Sequence, residues 1–212
     1  MPASRTAEYM AIYRALEDGV RERPPLFEDP FAASFLRPAL RRTTKLARFR
    51  RLRSALERYA DFRAPGARTS AIARTRFIDD VVREGVRGGC QQVVILGAGY
   101  DCRAHRLAEL RGCTVFEVDR AETQDVKRAR LERAPTYAEV NYVAIDFSRD
   151  DLEACLVRAG WRSTEPSVFV WEGVGLRTTS TSRASKECSP SSAGPARGPV
   201  SCSRTFTAGF WT

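Results

Sequence analysis

Four short apolar runs separated by helix-length segments dominate the middle of this chain, and they narrow its fold more than any other feature. They are "VVIL" (93–96), "TVFEV" (114–118), "VNYVAI" (140–145) and "SVFVW" (167–171). Between them lie "CRAHRLAEL", "AETQDVKRARLERA" and "RDDLEACLVRAG", each long enough to return the chain as a helix. Near-continuous apolar strands have no polar face to turn to water, so both faces of their sheet must be covered. Connecting helices do this in a doubly wound parallel sheet, an α/β architecture. In the last connector Ser148 is the expected cap, with Asp151 three residues on and Gly160 as the stop.

Residues 1 to about 88 read differently, as a mostly helical segment. "TAEYMAIYRALE" is amphipathic, "RERPPLFEDP" is a proline-broken turn, and "FAASFLRPAL" is a short helix. In "TSAIARTRFIDDVVREGVRGG" Ser70 is the expected cap, Phe77, Ile78, Val81 and Val82 the apolar face, and Gly88 and Gly89 the stop. Residues 37–63 hold ten Lys and Arg against two acids. The favoured reading is a solvated basic face whose Leu46, Phe49, Leu52, Leu56 and Tyr59 form a buried stripe. Attraction of an anionic substrate ranks next and nucleic acid last, since no zinc-finger or RNP signature is present.

Other classes are narrowed by composition. With 43% hydrophobic and 29% charged residues the chain is globular. No apolar run approaches the roughly 20 residues needed to cross a bilayer, and "MPASRTAEYM" lacks the apolar core of a signal peptide. A cytoplasmic protein with no membrane partner is therefore expected. Cys90, Cys102, Cys113, Cys155, Cys188 and Cys202 stand singly, as reduced thiols do. His105 is the only histidine and cannot build a multi-histidine metal site.

In a doubly wound sheet, ligands bind beyond the carboxyl ends of the strands, and the turn after the first strand needs glycine so that backbone can approach them. Gly97 and Gly99 in "VVILGAGYDCRAHR" meet that need. Asp119, ending "VFEVD" about 20 residues on, stands where a carboxylate accepts ribose hydroxyls. A dinucleotide fingerprint would continue with a third glycine, where this chain has Cys102. Asp101 lies where pyrophosphate would sit, and a carboxylate there repels phosphate. S-adenosylmethionine has a ribose, no phosphate and cationic groups, so it suits an acidic turn better. A nicotinamide-dependent (NAD(P)) oxidoreductase is the enzyme-class alternative, and a basic binding module using residues 37–63 is the non-enzymatic one.

Taken together, "SRTAEYMAIYRALE", "PPLFEDPFAASFL", "ARTRFIDD", "VVILGAGYDCRAHRL", "VFEVDR", "AIDFSRDDLEACLVRAGW" and "VFVWEGV" carry a resemblance. The chain resembles the leucine carboxyl methyltransferase-like group of class I methyltransferases, and above all its bacterial branch of candidate S-adenosylmethionine-dependent enzymes. The resemblance implies a Rossmann-like class I sheet under a helical lid, with O-methylation of a small-molecule carboxylate or hydroxyl as the activity. It also implies a set of cofactor contacts. Arg74 would pair with the methionine carboxylate, and Gly97, Ala98 and Gly99 would pack on the cofactor. Asp119 would hold the ribose, Asp146 and Phe147 would bracket the adenine, and Glu172 would face the amino end. No residue is identified as a general base, and the oligomeric state is left open.

After Gly173 the strand–helix logic ends. Of the 39 residues 174–212, 14 are Ser or Thr and only Glu187 is acidic. Three segments are expected: a helical cap at 1–88, a partial Rossmann-like domain of about four parallel strands at 89–173, and an aberrant, disordered tail at 174–212. A reading of the tail in a shifted frame permits, within codon degeneracy, a glycine stop and a buried strand like those the resemblance implies. The chain is therefore expected to leave its family's frame near Gly173, which resequencing the gene there tests. The resemblance implies a seven-stranded sheet, so a chain ending after "SVFVW" is expected to leave that strand as an exposed apolar edge and to fold poorly.

Overall fold

Five parallel strands in the order β3-β2-β1-β4-β5 form the centre of the molecule. The structure is a computed structural model and describes residues 5–20, 23–172 and 205–210. Strands β1 (Gln92–Leu96), β2 (Thr114–Asp119), β3 (Glu139–Ala144) and β4 (Ser167–Glu172) lie within a residue or two of the expected runs. The β1 side chains are buried on both faces, as an inner strand of a covered parallel sheet requires.

Helix α4 (Ala67–Arg87) covers one face, packing Ile78 and Val82 against Val93, Ile95, Val115, Val168 and Val170. Helix α6 (Ala121–Leu131) lies over β2, with its buried Lys127 paired to Glu117 at 2.5 Å. The opposite face is closed by α7 (Leu152–Arg158), whose Cys155 and Leu156 pack on Val94, Leu96, Phe116, Val118 and Val143. Before the sheet come α1 (Arg5–Asp18), a 3-10 turn at Ala32–Phe35, α2 (Pro38–Leu46) and α3 (Arg50–Arg63). Helix α1 packs Ala11 and Ala15 into a cluster with Phe35, Leu36, Leu131 and two residues after the glycine turn, Tyr100 and Cys102. The Phe35 and Tyr100 rings stack 4.5 Å apart. The helical segment is thereby packed directly on the turn.

Several local expectations give way to tertiary context. Asp151, not Ser148, caps α7, accepting a hydrogen bond from Ala154 N at 2.8 Å. Helix α4 begins at Ala67 behind Gly66, whose φ of 77° suits glycine, so Ser70 lies within the first turn. Phe77 is largely exposed, and Asp79 rather than an apolar residue completes the buried stripe of α4. "CRAHRLAEL" forms only the single turn α5 (Arg103–Arg106) and a 3-10 turn at Ala108–Leu110.

The stripe expected to be buried in residues 46–59 is largely turned to solvent, with Leu46, Phe49, Leu52 and Tyr59 exposed and Arg53 buried in its place. Arg53 meets Glu57 one helical turn on at 3.7 Å, and the same carboxylate also meets Arg68 of α4 at 3.7 Å. Residues 205–210, expected in a disordered tail, form β5 (Thr205–Phe210). It runs parallel to β4 from Ser167↔Thr205 to Glu172↔Phe210. Strand β4 is therefore not the sheet's open edge, because β5 accepts and supplies its ladder hydrogen bonds. The remaining tail, with Cys188 and Cys202, lies outside the described residues. Cys90, Cys102, Cys113 and Cys155 are free and buried.

Candidate functional site

The carboxyl ends of β1, β2 and β4 converge on the glycine turn. Gly97 and Gly99 have φ values of 63° and 48°, a region in which side chains are strained. At Gly99 a Cβ would also lie 3.5 Å from the Cβ of Ala7, so α1 closes over the turn at contact distance. Ala98 N donates to the Val118 carbonyl at 3.1 Å, which ties the turn to β2. Gly99 N then donates to Asp119 Oδ2 at 2.6 Å, while Arg120 N donates to Oδ1 at 2.7 Å. The carboxylate predicted to hold a ribose thus also sets the shape of the turn.

Arg74 projects from α4 and donates from Nε to Glu172 Oε1 at 3.1 Å, so two residues separated by 98 positions meet at the tip of β4. Its other near neighbour is Met10 Sδ, 3.7 Å from a terminal nitrogen. Asp146 is exposed and closes its own turn, accepting from Ser148 N at 3.0 Å and Ser148 Oγ at 2.6 Å. Phe147 is half-buried against the core beneath α7. The structure therefore joins Gly99 to Asp119 and Arg74 to Glu172. The Asp146 carboxylate is engaged locally instead.

Beneath the rim lies a charge network that the linear pattern did not reveal. Asp79, fully buried on α4, accepts from Arg103 Nε at 2.8 Å and from both terminal nitrogens of Arg106 at 2.6 and 2.7 Å. Arg103 also binds the Asp101 carboxylate and approaches Glu172 Oε2 at 3.5 Å. Arg14 on α1 bridges Asp29 at 2.8 Å and the Tyr100 carbonyl at 2.6 Å. One sequence signal for this was available: Asp79 falls on the stripe Ile72, Thr75, Asp79, Val82, where a lone acid is out of place unless it has a buried partner. Nothing local marked Arg103 or Arg106 as that partner.

The role expected of Asp101 changes accordingly. Burial by itself would raise its carboxyl, but Arg103, Lys127 and Arg106, with the Arg103 N–H, outweigh burial and hold it at about 2. Its charge is answered within the protein, so it is not a free repulsive charge aimed at phosphate. A carboxyl that is more acidic in the folded chain makes the unfolded chain the tighter proton binder. Its stabilising contribution, about 2 kcal/mol, is complete above the ordinary aspartate value of 3.8 and is lost as pH falls toward 2. Urea midpoints should therefore fall on acidification through this window, and Asp101→Asn should flatten the fall. Parallel curves for the two proteins would contradict this assignment.

Residues 7–176 match the family model described as leucine carboxyl methyltransferase. Three bacterial relatives, each named as a candidate S-adenosyl-L-methionine-dependent methyltransferase, align over most of the chain. The relative from Frankia alni is 37% identical over 171 residues, 80% of this chain and 57% of the relative. Those from Streptomyces coelicolor and Mycolicibacterium smegmatis are 35% and 36% identical, again over 80% of this chain and over 57% and 56% of their own lengths. The chain thus spans little more than half the length of these curated relatives. The matched region contains the glycine turn, the acid at the end of β2 and the Arg74–Glu172 pair. On that match, the chain belongs to the leucine carboxyl methyltransferase family.

Proposed function

We propose that this chain binds S-adenosyl-L-methionine along the carboxyl rim of its sheet and serves methyl transfer to oxygen of a small-molecule carboxylate. The observation that carries the reading is the Gly99–Asp119 clasp at the tips of β1 and β2, inside a chain matched to this family. The donor set fits such a ligand. Each Asp119 oxygen holds one backbone N–H and, with two lone pairs, can accept a ribose hydroxyl as well. Arg74 has five N–H donors, and the contacts to Glu172 and Met10 leave others for a ligand carboxylate. Glu172 would stabilise a ligand ammonium, and Gly97, Ala98 and Gly99 would admit its close approach. Asp146 and Phe147 would take the adenine, which requires Asp146 to turn from Ser148.

When bound, the cofactor supplies a methyl group already activated by its sulfonium. What this chain contributes is positioning and exclusion of water. Helix α1 lies on the turn through Ala7, while Phe35 and Tyr100 seal the turn's outer side. The rim acids are already engaged, Asp101 and Glu172 by arginines and Asp119 by backbone N–H groups, so none of these three is placed as a dedicated base. A carboxylate acceptor arrives ionised and needs no base, so this arrangement favours it over a hydroxyl.

Calorimetric titration with S-adenosylhomocysteine and, separately, NADH discriminates the readings. The expected result is saturable binding of the first alone. Binding of NADH without S-adenosylhomocysteine would restore the dehydrogenase alternative. The same titration on a version continued in the shifted frame after Gly173 measures what the remaining family length contributes.

A further inference from the structure

The exposed α2–α3 elbow has no part in the site described above. It presents nine exposed cations, from Arg37 to Arg63, while Glu57 and Asp61, its two acids, are both held by Arg68. Arginine-rich surfaces are usually flanked by polar residues, but this one alternates with large apolar side chains. Phe62 is 83% exposed, Tyr59 63% and Phe49 54%, with Leu46 and Leu52 beside them. At 100° per residue, Arg51, Arg58, Leu52, Tyr59 and Phe62 share the outward half of α3, opposite the buried Arg53.

A groove of about 570 Å³ is lined by Arg50, Arg51, Ser54 and Arg58 at the start of the same helix. No side chain caps that helix start, so its first N–H groups are open to an anion alongside the guanidiniums. Arg50, Arg51 and Arg58 have no acidic partner among the described residues.

From this combination we propose that the α2–α3 elbow docks the protein on the surface of an anionic phospholipid bilayer. The arginine groove takes headgroup phosphates, and Phe49, Leu52, Tyr59 and Phe62 enter the boundary with the acyl chains. Charge selects the partner. A second copy would set nine cations against nine, and a nucleic acid would leave Leu46 and Leu52 without apolar contact. A basic face beside aromatic and leucine side chains is the composition that lies in the membrane interface. Docking of this kind needs no crossing segment, and among the described residues no helix is long and apolar enough to be one. The inference does not depend on the methyl-transfer reading.

Co-sedimentation of the full chain with vesicles tests it. Phosphatidylcholine vesicles containing roughly a third phosphatidylglycerol should bind at least about tenfold more tightly than phosphatidylcholine alone, and binding should weaken in high salt. The variant Arg50→Gln, Arg51→Gln, Arg58→Gln should lose the anionic preference, and Phe49→Ser with Phe62→Ser should lose partition. All five positions are exposed, and unchanged circular dichroism verifies that the variants fold. The proposal is overturned by absence of binding to anionic vesicles, or by binding indifferent to both sets of variants. It is likewise overturned if soluble glycerol phosphate displaces the protein completely, if only single-stranded RNA binds, or if light scattering shows a dimer that either set dissolves.

Discussion

Replacing Asp79 with alanine is expected to lower stability by about 3–5 kcal/mol, the cost of leaving buried charge without its partner. Two guanidiniums, Arg103 and Arg106, converge on this one carboxylate, which has no exposure to water. Asp101 and Glu172 also hold Arg103, so its charge stays compensated in part. Beyond Asp79, Arg106 has Asp29 at 4.0 Å and the more distant charge of Asp101 as acidic neighbours among the described residues. For a chain of this size each kcal/mol corresponds to roughly 2–4 °C in melting temperature, so a loss of roughly 6–20 °C follows. Asp79→Asn should lie between, since it keeps acceptor geometry without charge. Adding Arg106→Leu to Asp79→Ala should recover part of the loss, because it removes the stranded cation. A melting temperature for Asp79→Ala within a few degrees of the parent would show that the network contributes little.

The second large effect concerns Asp119. Two charge-assisted hydrogen bonds to ribose hydroxyls are worth about 1.5 kcal/mol or more each, so Asp119→Ala should weaken S-adenosylhomocysteine binding on the order of 100-fold. The same carboxylate holds Gly99 N, so part of the loss could come from a loosened turn. Asp119→Asn separates the contributions: its side-chain oxygen can still accept from Gly99 N, while the charge is gone. Intermediate affinity with an unchanged melting temperature assigns the loss to the ribose contact. Equal affinity for all three proteins would remove Asp119 from the binding site and, with it, the rim as the place of the cofactor.

The strands were the most legible part of the chain. "VVIL" is buried on both faces of the parallel sheet, and "TVFEV" and "SVFVW" are buried or half-buried throughout, which leaves them almost no alternative. The glycine turn was readable for a related reason: strand, two glycines and a distant acid form a local pattern whose spacing is set by the strand–helix–strand unit itself. Helix faces were less secure. Periodicity identified α3 as amphipathic, but it could not say that Arg53 would turn inward and Phe62 outward. That choice goes with Glu57, which meets Arg53 within α3 and Arg68 across on α4, a relation between two helices. Asp101 shows the same limit. Its position beside the turn was evident, yet its effect depended on Arg103, two residues away, folding back upon it.

What the amino-acid order alone determined is the parallel α/β frame, the turn at Gly97–Gly99 and the acid at Asp119, because each follows from steric and hydrophobic rules acting over a few neighbouring residues. What only the tertiary structure decided is the charge pairing. Arg74 meets Glu172 and Asp79 meets Arg103 and Arg106 across 24 to 98 positions of sequence. Buried ions must find partners wherever packing brings them, and no local pattern records where that will be.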